Sequence, residues 1–390
     1  MYVTRPLSVY RDSSSSSSSP EAEGPNTGVL VMEDEASESK WFFGLLKDTC
    51  VKVPPFPQNK LLELRYLKGT AADRRRHYHR TDYFYAMLIP VLNQPSDSNQ
   101  YYVINSRGKT KGLACTSSKE DDMTSCCCFN LIEDIPPQLF DPENPYQQFQ
   151  ITNKYTYFGS PYSFVSKSMA PDGVPPYFLR HQGWTADTKT LENFDATPAL
   201  GVDVALRARL PELDSKDQPV MVGKWYCPFI FIRDGEVGAQ MRDSVYYQMT
   251  LQQNWEEIFE CYNKNDDHNV AVDVCVKREA VLVRGALLAG ERVVVSDGFM
   301  WFCASSEVGL SMAIVERVKW EEERVGFVWG GNHEEEIERV VRREEFEGKG
   351  VWKRFRCYVL VERFMLKRMD ATLVLTWEFR HTHQIRTEWE

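Results

Sequence analysis

The side chains here with the strongest intrinsic chemistry are ten cysteines and seven histidines. Cys126-Cys127-Cys128 are adjacent, so an extended chain aims at most two of them at one ion, whereas four-coordinate zinc needs ligands from separated turns. No Cys-x-x-Cys and no His-x-x-x-His spacing occurs. His77-Tyr78-His79 and His381-Thr382-His383 each set two imidazoles on one strand face, because positions i and i+2 point the same way. Arginines flank both pairs, Arg76 and Arg80 the first and Arg380 the second, and their charge opposes a bound cation. No metal and no cofactor is expected. Gly-x-Ser-x-Gly is absent, and Ser117-Ser118-Lys119 lacks the Ser-x-x-Lys spacing of acyl enzymes. A cysteine–histidine pair assembled only in the fold stays open, and would make the chain a hydrolase or transferase. Glu321-Glu322-Glu323 reads as a solvated face rather than as paired catalytic acids. Neither a Walker-type loop nor a strand-borne Gly-x-Gly-x-x-Gly is present. Arg107 to Gly112 is a small basic glycine loop that reads as the closure of a hairpin, and Arg74-Arg75-Arg76 is the only compact basic run.

The elements that must position these groups come from a chain of 390 residues, enough for two or three domains at about 150 residues each. Hydrophobic residues make up 43% and charged residues 26%, a balance that supports a buried core and excludes wholesale disorder. The net charge of −10 argues against a protein whose task is gripping phosphate backbones, so no nucleic-acid partner is expected. No run approaches the ~20 apolar residues of a membrane helix. The best stretch, Val281 to Val295, is broken by Arg284, Glu291 and Arg292. Arg5 and Pro6 interrupt any secretory leader, and several cysteines sit inside apolar runs, so reduced thiols in the cytoplasm or nucleus are expected.

Residues 1–28, with seven consecutive serines from Ser13 to Ser19, read as a disordered arm. Order is expected to start with a strand at Gly28–Met32. Strands follow around Leu61–Leu67, Tyr83–Val91 and Tyr101–Ile104, with a turn-rich loop at Asn93–Asn99. Residues 29–150 form an N-terminal β-rich domain in this reading. Beyond it the chain repeats a pattern. Trp225, Cys227, Phe229 and Phe231 match Phe355, Cys357, Val359 and Val361, Met249-Thr250-Leu251 echoes Leu375-Thr376-Trp377, and Asp172-Gly173 echoes Asp297-Gly298. Gly201–Leu210 and Gly309–Val318 occupy corresponding places. A tandem duplication is therefore expected, as 151–285 and 286–390, with the paired patterns lying roughly within 160–265 and 290–390. In the second copy, Phe355, Cys357, Val359 and Val361 alternate toward one buried face. Met369-Asp370-Ala371 turns, and Leu373, Leu375, Trp377 and Phe379 alternate on the return. Charge order predicts a helix over Glu334–Glu345, acidic at its start and basic near its end. Glu316–Arg324 is ambiguous.

Several motifs are distinctive: Phe56-Pro57-Gln58-Asn59-Lys60, Ile89-Pro90-Val91-Leu92-Asn93-Gln94-Pro95, Ser117-Ser118-Lys119-Glu120-Asp121-Asp122, Lys224-Trp225-Tyr226-Cys227-Pro228-Phe229 and Cys357-Tyr358-Val359-Leu360-Val361-Glu362. With the opening Met1 to Ser8 and the close near Gln384-Ile385 and Trp389-Glu390, they make the chain resemble the plant domain of unknown function 1262 family, sometimes labelled an insecticidal crystal toxin domain. The resemblance covers nearly the whole chain and departs most at the serine run. It implies no activity, cofactor or catalytic residue.

The fold expected is mainly β, built from packed antiparallel sheets with a few helices. The function expected is a non-catalytic intracellular binding module, with an unidentified protein or small-molecule partner and no stable membrane insertion. Its candidate contacts are loop residues: Gln58, Asn59, Lys60, Asn93, Gln94, Ser117, Ser118 and Lys119. A membrane-active, toxin-like β protein is an alternative, although its best strand, Tyr246–Phe259, carries Glu256-Glu257 and bulky aromatics that fit a barrel poorly.

Overall fold

The computed structural model describes residues 1–12, 23–41, 46–68, 80–95, 97–119, 123–126, 129–154, 162–191, 194, 196–213, 218–264, 267–288, 293–303, 307–329 and 337–390. It is 53% strand and 14% helix, so the mainly β expectation holds. Two compact units divide the chain: Met1–Pro198 with Pro228–Tyr246, and Ala199–Cys227 with Tyr247–Glu390. These limits differ from the boundaries expected at 150 and 285, because the first unit runs on to Pro198 and takes back Pro228–Tyr246.

In the first unit, β1 (Tyr2–Pro6) lies parallel to β2 (Gly28–Met32), and α1 (Leu7–Asp12) follows β1 directly. The first twelve residues of the expected disordered arm are thus structured, with Met1, Tyr2 and Leu7 buried. Apolar side chains at these positions outweigh the polarity that follows; the serine run lies outside the described residues. The main sheet comprises β3 (Cys50–Val51), β4 (Lys60–Lys68), β5 (Arg80–Pro90), β6 (Gln100–Asn105), β7 (Gln148–Lys154), β8 (Ser163–Ser168) and β9 (Thr185–Thr190). Its order is β8-β7-β6-β5-β4-β9-β3, and each pair is antiparallel. The strands expected from alternation between residues 28 and 104 are all present. Phe56, Phe164 and Trp184 stack inside this sheet's core, and α2 (Tyr177–Arg180) adds Leu179. Gly112 N donates to Asn105 O, so the basic glycine loop closes a hairpin as expected.

The second unit opens with β10 (Gly201–Val202) and α3 (Val204–Arg209), whose first turn is capped by Asp203 Oδ1 accepting from Leu206 N at 2.9 Å. The long strands follow: β11 (Val220–Pro228), β12 (Tyr246–Tyr262), β13 (Asn269–Lys277), β14 (Glu279–Val283), β15 (Ala286–Leu287), β16 (Val293–Ser296), β17 (Phe299–Cys303) and β18 (Glu307–Ser311). Then come α4 (Met312–Glu323), β19 (Ile337–Glu345), β20 (Arg354–Arg368) and β21 (Leu373–Trp389). Within this unit one sheet runs β10-β11-β12-β20-β21-β14-β15, and β16-β17-β18 form a second. The two-residue Asp297-Gly298 turn between β16 and β17 has both φ values positive, the requirement of a tight hairpin. The turn expected at Met369-Asp370-Ala371 joins β20 and β21.

Two expectations need correction. The helix predicted at Glu334–Glu345 is, where described, strand β19, paired residue for residue with β13. Its charges serve cross-strand contacts such as Arg339 Nε to Asp273 Oδ1 at 2.6 Å, and the same sequence pattern suits either structure. Strand β20 was expected to bury one face, yet Phe355 to Glu362 are all buried, because a central strand is covered on both sides. The ambiguous segment 316–324 belongs largely to helix α4, which ends at Glu323.

Candidate functional site

The expected loop contacts all fall in the first unit, and all of them except exposed Gln94 are committed to neighbouring groups. Gln58 is buried: its Oε1 accepts from Val31 N, its Nε2 donates to Phe56 O, and its carbonyl accepts from the Tyr246 hydroxyl. Asn59 exchanges two hydrogen bonds with the Glu33 backbone at 2.9 and 3.1 Å, and Lys60 pairs with Glu33 at 3.3 Å. Asn93 holds a positive φ of 58° and exchanges hydrogen bonds with the Thr27 backbone. Gln94 and Gln58 line a cavity of only about 10 Å³, at the lower limit for one water. Ser117 and Ser118 are buried and donate to Ser168 Oγ and Glu133 O at 2.9 and 2.8 Å. The Lys119 ammonium lies over the Tyr146 ring. Apart from Gln94, these side chains fasten strands and turns; the structure brings Gln58, Asn59, Lys60, Asn93 and Gln94 around β2 and leaves Ser117, Ser118 and Lys119 elsewhere.

A different constellation stands in the second unit. Paired positions on β12, β20 and β21 share one sheet face: Leu251, Phe364 and Trp377, then Gln253, Glu362 and Phe379, then Trp255, Leu360 and His381. An apolar face is thus interrupted by Gln253, Glu362 and His381. Helix α4 brings Ile314, Val315 and Val318 to burial, and its period carries Glu321 and Glu322 to the same side. Both are fully buried, which corrects the reading of this run as a solvated face.

Arg207, buried at 5% exposure on α3, supplies the counter-charge. It donates to Glu362 through Nε at 2.9 Å and through Nη2, to Glu321 at 3.1 Å and to Glu322 at 3.3 Å. Arg317 Nη2 adds a 2.7 Å bond to Glu321, and Gln253 Nε2 adds a 2.7 Å bond to Glu362. His381 Nε2 lies 3.1 Å from Glu322 Oε2 and 3.5 Å from Glu362 Oε2, close enough for charge attraction. The alignment is off the line of a hydrogen bond, so both His381 ring nitrogens and Glu322 Oε2 are buried without a hydrogen-bond partner.

Electrostatics separate the three titratable groups. Burial, and then the charge of Glu362, push Glu322 up to about 8. Burial acts the same way on Glu362, but His381 and Arg207 outweigh it and hold that carboxyl far below the usual range. Burial opposes charge on His381, yet Glu322 and Glu362 prevail and raise it to about 9. The cluster borders a cavity of about 350 Å³. Arg207, Gln253, Arg324, Glu362, His381 and Gln384 contribute polar groups to its lining, and Val202, Val204, Leu210 and Leu360 are among the apolar ones.

Residues 23–129 match the family described as "Protein of unknown function (DUF1262)". That segment contains the Phe56–Lys60, Ile89–Pro95 and Ser117–Asp122 motifs. No curated protein matches the chain. The crystal structure of Cry35Ab1 is similar over 86% of this chain and 90% of that one, at 13% identity and a TM-score of 0.46. A likeness of that degree passes no property to this protein.

The remaining sequence candidates contribute less. His77, His79 and the arginines at 74–76 lie outside the described residues. His383 Nε2 contacts Val325 O at 3.1 Å and does not join the cluster. Arg380, expected to repel a cation from His381, lies on the opposite strand face, where it pairs with Glu256 and Glu378 at 2.9 and 3.2 Å. Among the described cysteines, burial pushes Cys115 and Cys227 up to about 12, away from thiolate reactivity. Sequence reasoning missed Arg207, Gln253, Glu322 and Glu362. For His381 a signal existed, since it continues the inward alternation Leu375, Trp377, Phe379.

Proposed function

We propose that the protein is a non-catalytic intracellular binding module whose ligand is a small molecule held in the cavity of the second unit. One observation carries this reading: Val202, Val204, Leu210 and Leu360 flank a few convergent, fixed polar groups in a half-open cleft of about 350 Å³. Small-molecule sites combine apolar lining with a handful of placed polar groups in the range of roughly 300–1,000 Å³. The buried network holds Arg207, Gln253 and Glu362 in place before any ligand arrives, which lowers the entropy cost of binding. The ligand favoured is one with an apolar body and a hydrogen-bonding head. The loops of the first unit are less favoured, because Gln58, Asn59 and Ser117 already have partners. Burial pushes the Cys115 and Cys227 thiols up to about 12, which removes these two as nucleophiles of a cysteine–histidine enzyme.

Ala208 is exposed on α3 and lines the same cavity, so Ala208→Phe fills the space without disturbing the core. A panel of small carboxylates, amino acids, sugars and nucleosides is screened by thermal shift and equilibrium dialysis. At least one compound is expected to bind and stabilise the wild-type chain but not Ala208→Phe. Binding of none, or equal binding to both, refutes the proposal.

A further inference from the structure

We propose that Glu322, Glu362 and His381 bind one divalent transition-metal ion of the zinc type at the floor of this cavity. The inference rests on the reading of that cavity as a binding site and names its inorganic component. Each residue offers one donor atom, and the three donors lie within 4.8 Å of one another. The two separations from His381 Nε2, 3.1 and 3.5 Å, bracket the edge of a zinc tetrahedron, roughly 3.3–3.5 Å for bonds of about 2.0–2.1 Å. One imidazole with two carboxylates is a ligand set such ions accept.

The second, independent observation is the unsatisfied state of these atoms. Glu322 is fully buried and His381 1% exposed, and Glu322 Oε2 and His381 Nε2 face each other at 3.1 Å as a charge-attracted pair outside hydrogen-bond alignment, so an ion entering between them displaces protons and binds more tightly as pH rises. Buried polar atoms left in this state call for a partner. The neighbours hold the carboxylates: Arg207 takes Glu322 by its other oxygen, Oε1, whereas Glu362 is gripped at both oxygens, Nη2 of Arg207 reaching the Oε2 that faces His381, so an ion must share that oxygen with the guanidinium. Arg207, Arg317 and Arg324 are the nearby cations that oppose a metal, and Glu321 pairs with all three at 3.1, 2.7 and 3.5 Å. Glu362 and His381 both line the cavity, so the fourth position of the ion opens toward whatever molecule the cavity holds.

The test is calorimetric titration of the metal-free full chain with Zn²⁺ near neutral pH, followed by X-ray absorption on the loaded protein. One equivalent is expected to bind, with one imidazole and oxygen ligands in the spectrum. His381→Gln and Glu322→Gln are expected to weaken it by more than about tenfold, and His383→Gln to leave it unchanged. No binding to the wild type, sulfur ligation, or full affinity in either ligand variant overturns the inference. Should both variants fail to fold, the wild-type spectrum decides alone. Ala208→Phe leaves the three ligands intact. Zinc bound by a chain that holds no small molecule therefore sinks the cavity reading and keeps the metal, and a small molecule bound by a chain that takes no zinc does the reverse.

Discussion

Arg207 is where the second unit is most vulnerable. Replacing it by Met keeps most of the side-chain volume and removes the guanidinium that reaches Glu362, Glu321 and Glu322. Glu362 then keeps only Gln253 and His381, while Arg317 and the partly exposed Arg324 still reach Glu321. Removing one partner from a buried ion pair costs about 3–5 kcal/mol, because the remaining charge stays desolvated. We expect the lower end, about 3 kcal/mol, since Gln253 still donates to Glu362 at 2.7 Å and Arg317 to Glu321 at 2.7 Å. The double variant Arg207→Met, Glu362→Leu removes both charges and should recover at least about 1 kcal/mol of that loss, the sign of coupling in a double-mutant cycle. Two units require a probe that separates them. Hydrogen exchange against urea reads peptides from Arg354–Arg368 for the second unit and from Gln100–Asn105 for the first. The second-unit transition should move and the first should not. A loss below about 1 kcal/mol, or a double variant no more stable than the single, would refute the claim that this network is an interdependent buried balance.

Asp203→Ala removes the side-chain cap of α3 and should cost the second unit about 1 kcal/mol by the same measurement, since this short helix presents Arg207. Iodoacetamide at mildly alkaline pH should label exposed Cys275 in the native chain while sparing Cys115 and Cys227, whose thiols are pushed to about 12; mass spectrometry of the peptides reads this, and equal labelling would contradict the burial described.

The strands were readable because burial with period two leaves a direct trace: Leu62 and Leu64, or Leu375, Trp377 and Phe379, announce their own faces. Charge was where reading failed, and for one reason. A run such as Glu321-Glu322 looks solvated when its counter-charge is invisible, and here that charge sits 114 and 115 residues away at Arg207. Glu362 is 155 residues from the same arginine. No local pattern reports such a pairing. Position on a helix would have helped, since Ile314, Val318, Glu321 and Glu322 fall on one side once α4 is assigned. At β19 the opposite error arose, because charge order alone cannot separate a dipole-matched helix from a strand with cross-strand pairs.

The tandem duplication remains our proposal, and the site gives it a physical consequence. The segments compared in the sequence lie in partly similar successions: β10, α3, β11 and β12 in one, with a 3-10 turn at Phe229–Phe231, a short strand at Ile232–Arg233 and a helix at Val237–Asp243 between β11 and β12, and β18, α4, β20 and β21 in the other, with β19 between α4 and β20. In each, a helix directly follows a short strand, and both helices send charged side chains onto the same polar row, Arg207 from α3 and Glu321 and Glu322 from α4. An apolar helix face tolerates sliding by one turn along a sheet, whereas an arginine fork matched to buried carboxylates does not. The charges that could host a ligand would then also fix the placement of the two copies' helices. If backbone superposition of the two successions fits no better than either fits unrelated strand–helix segments of the chain, the duplication falls, while the cluster and its predicted energetics stand unchanged.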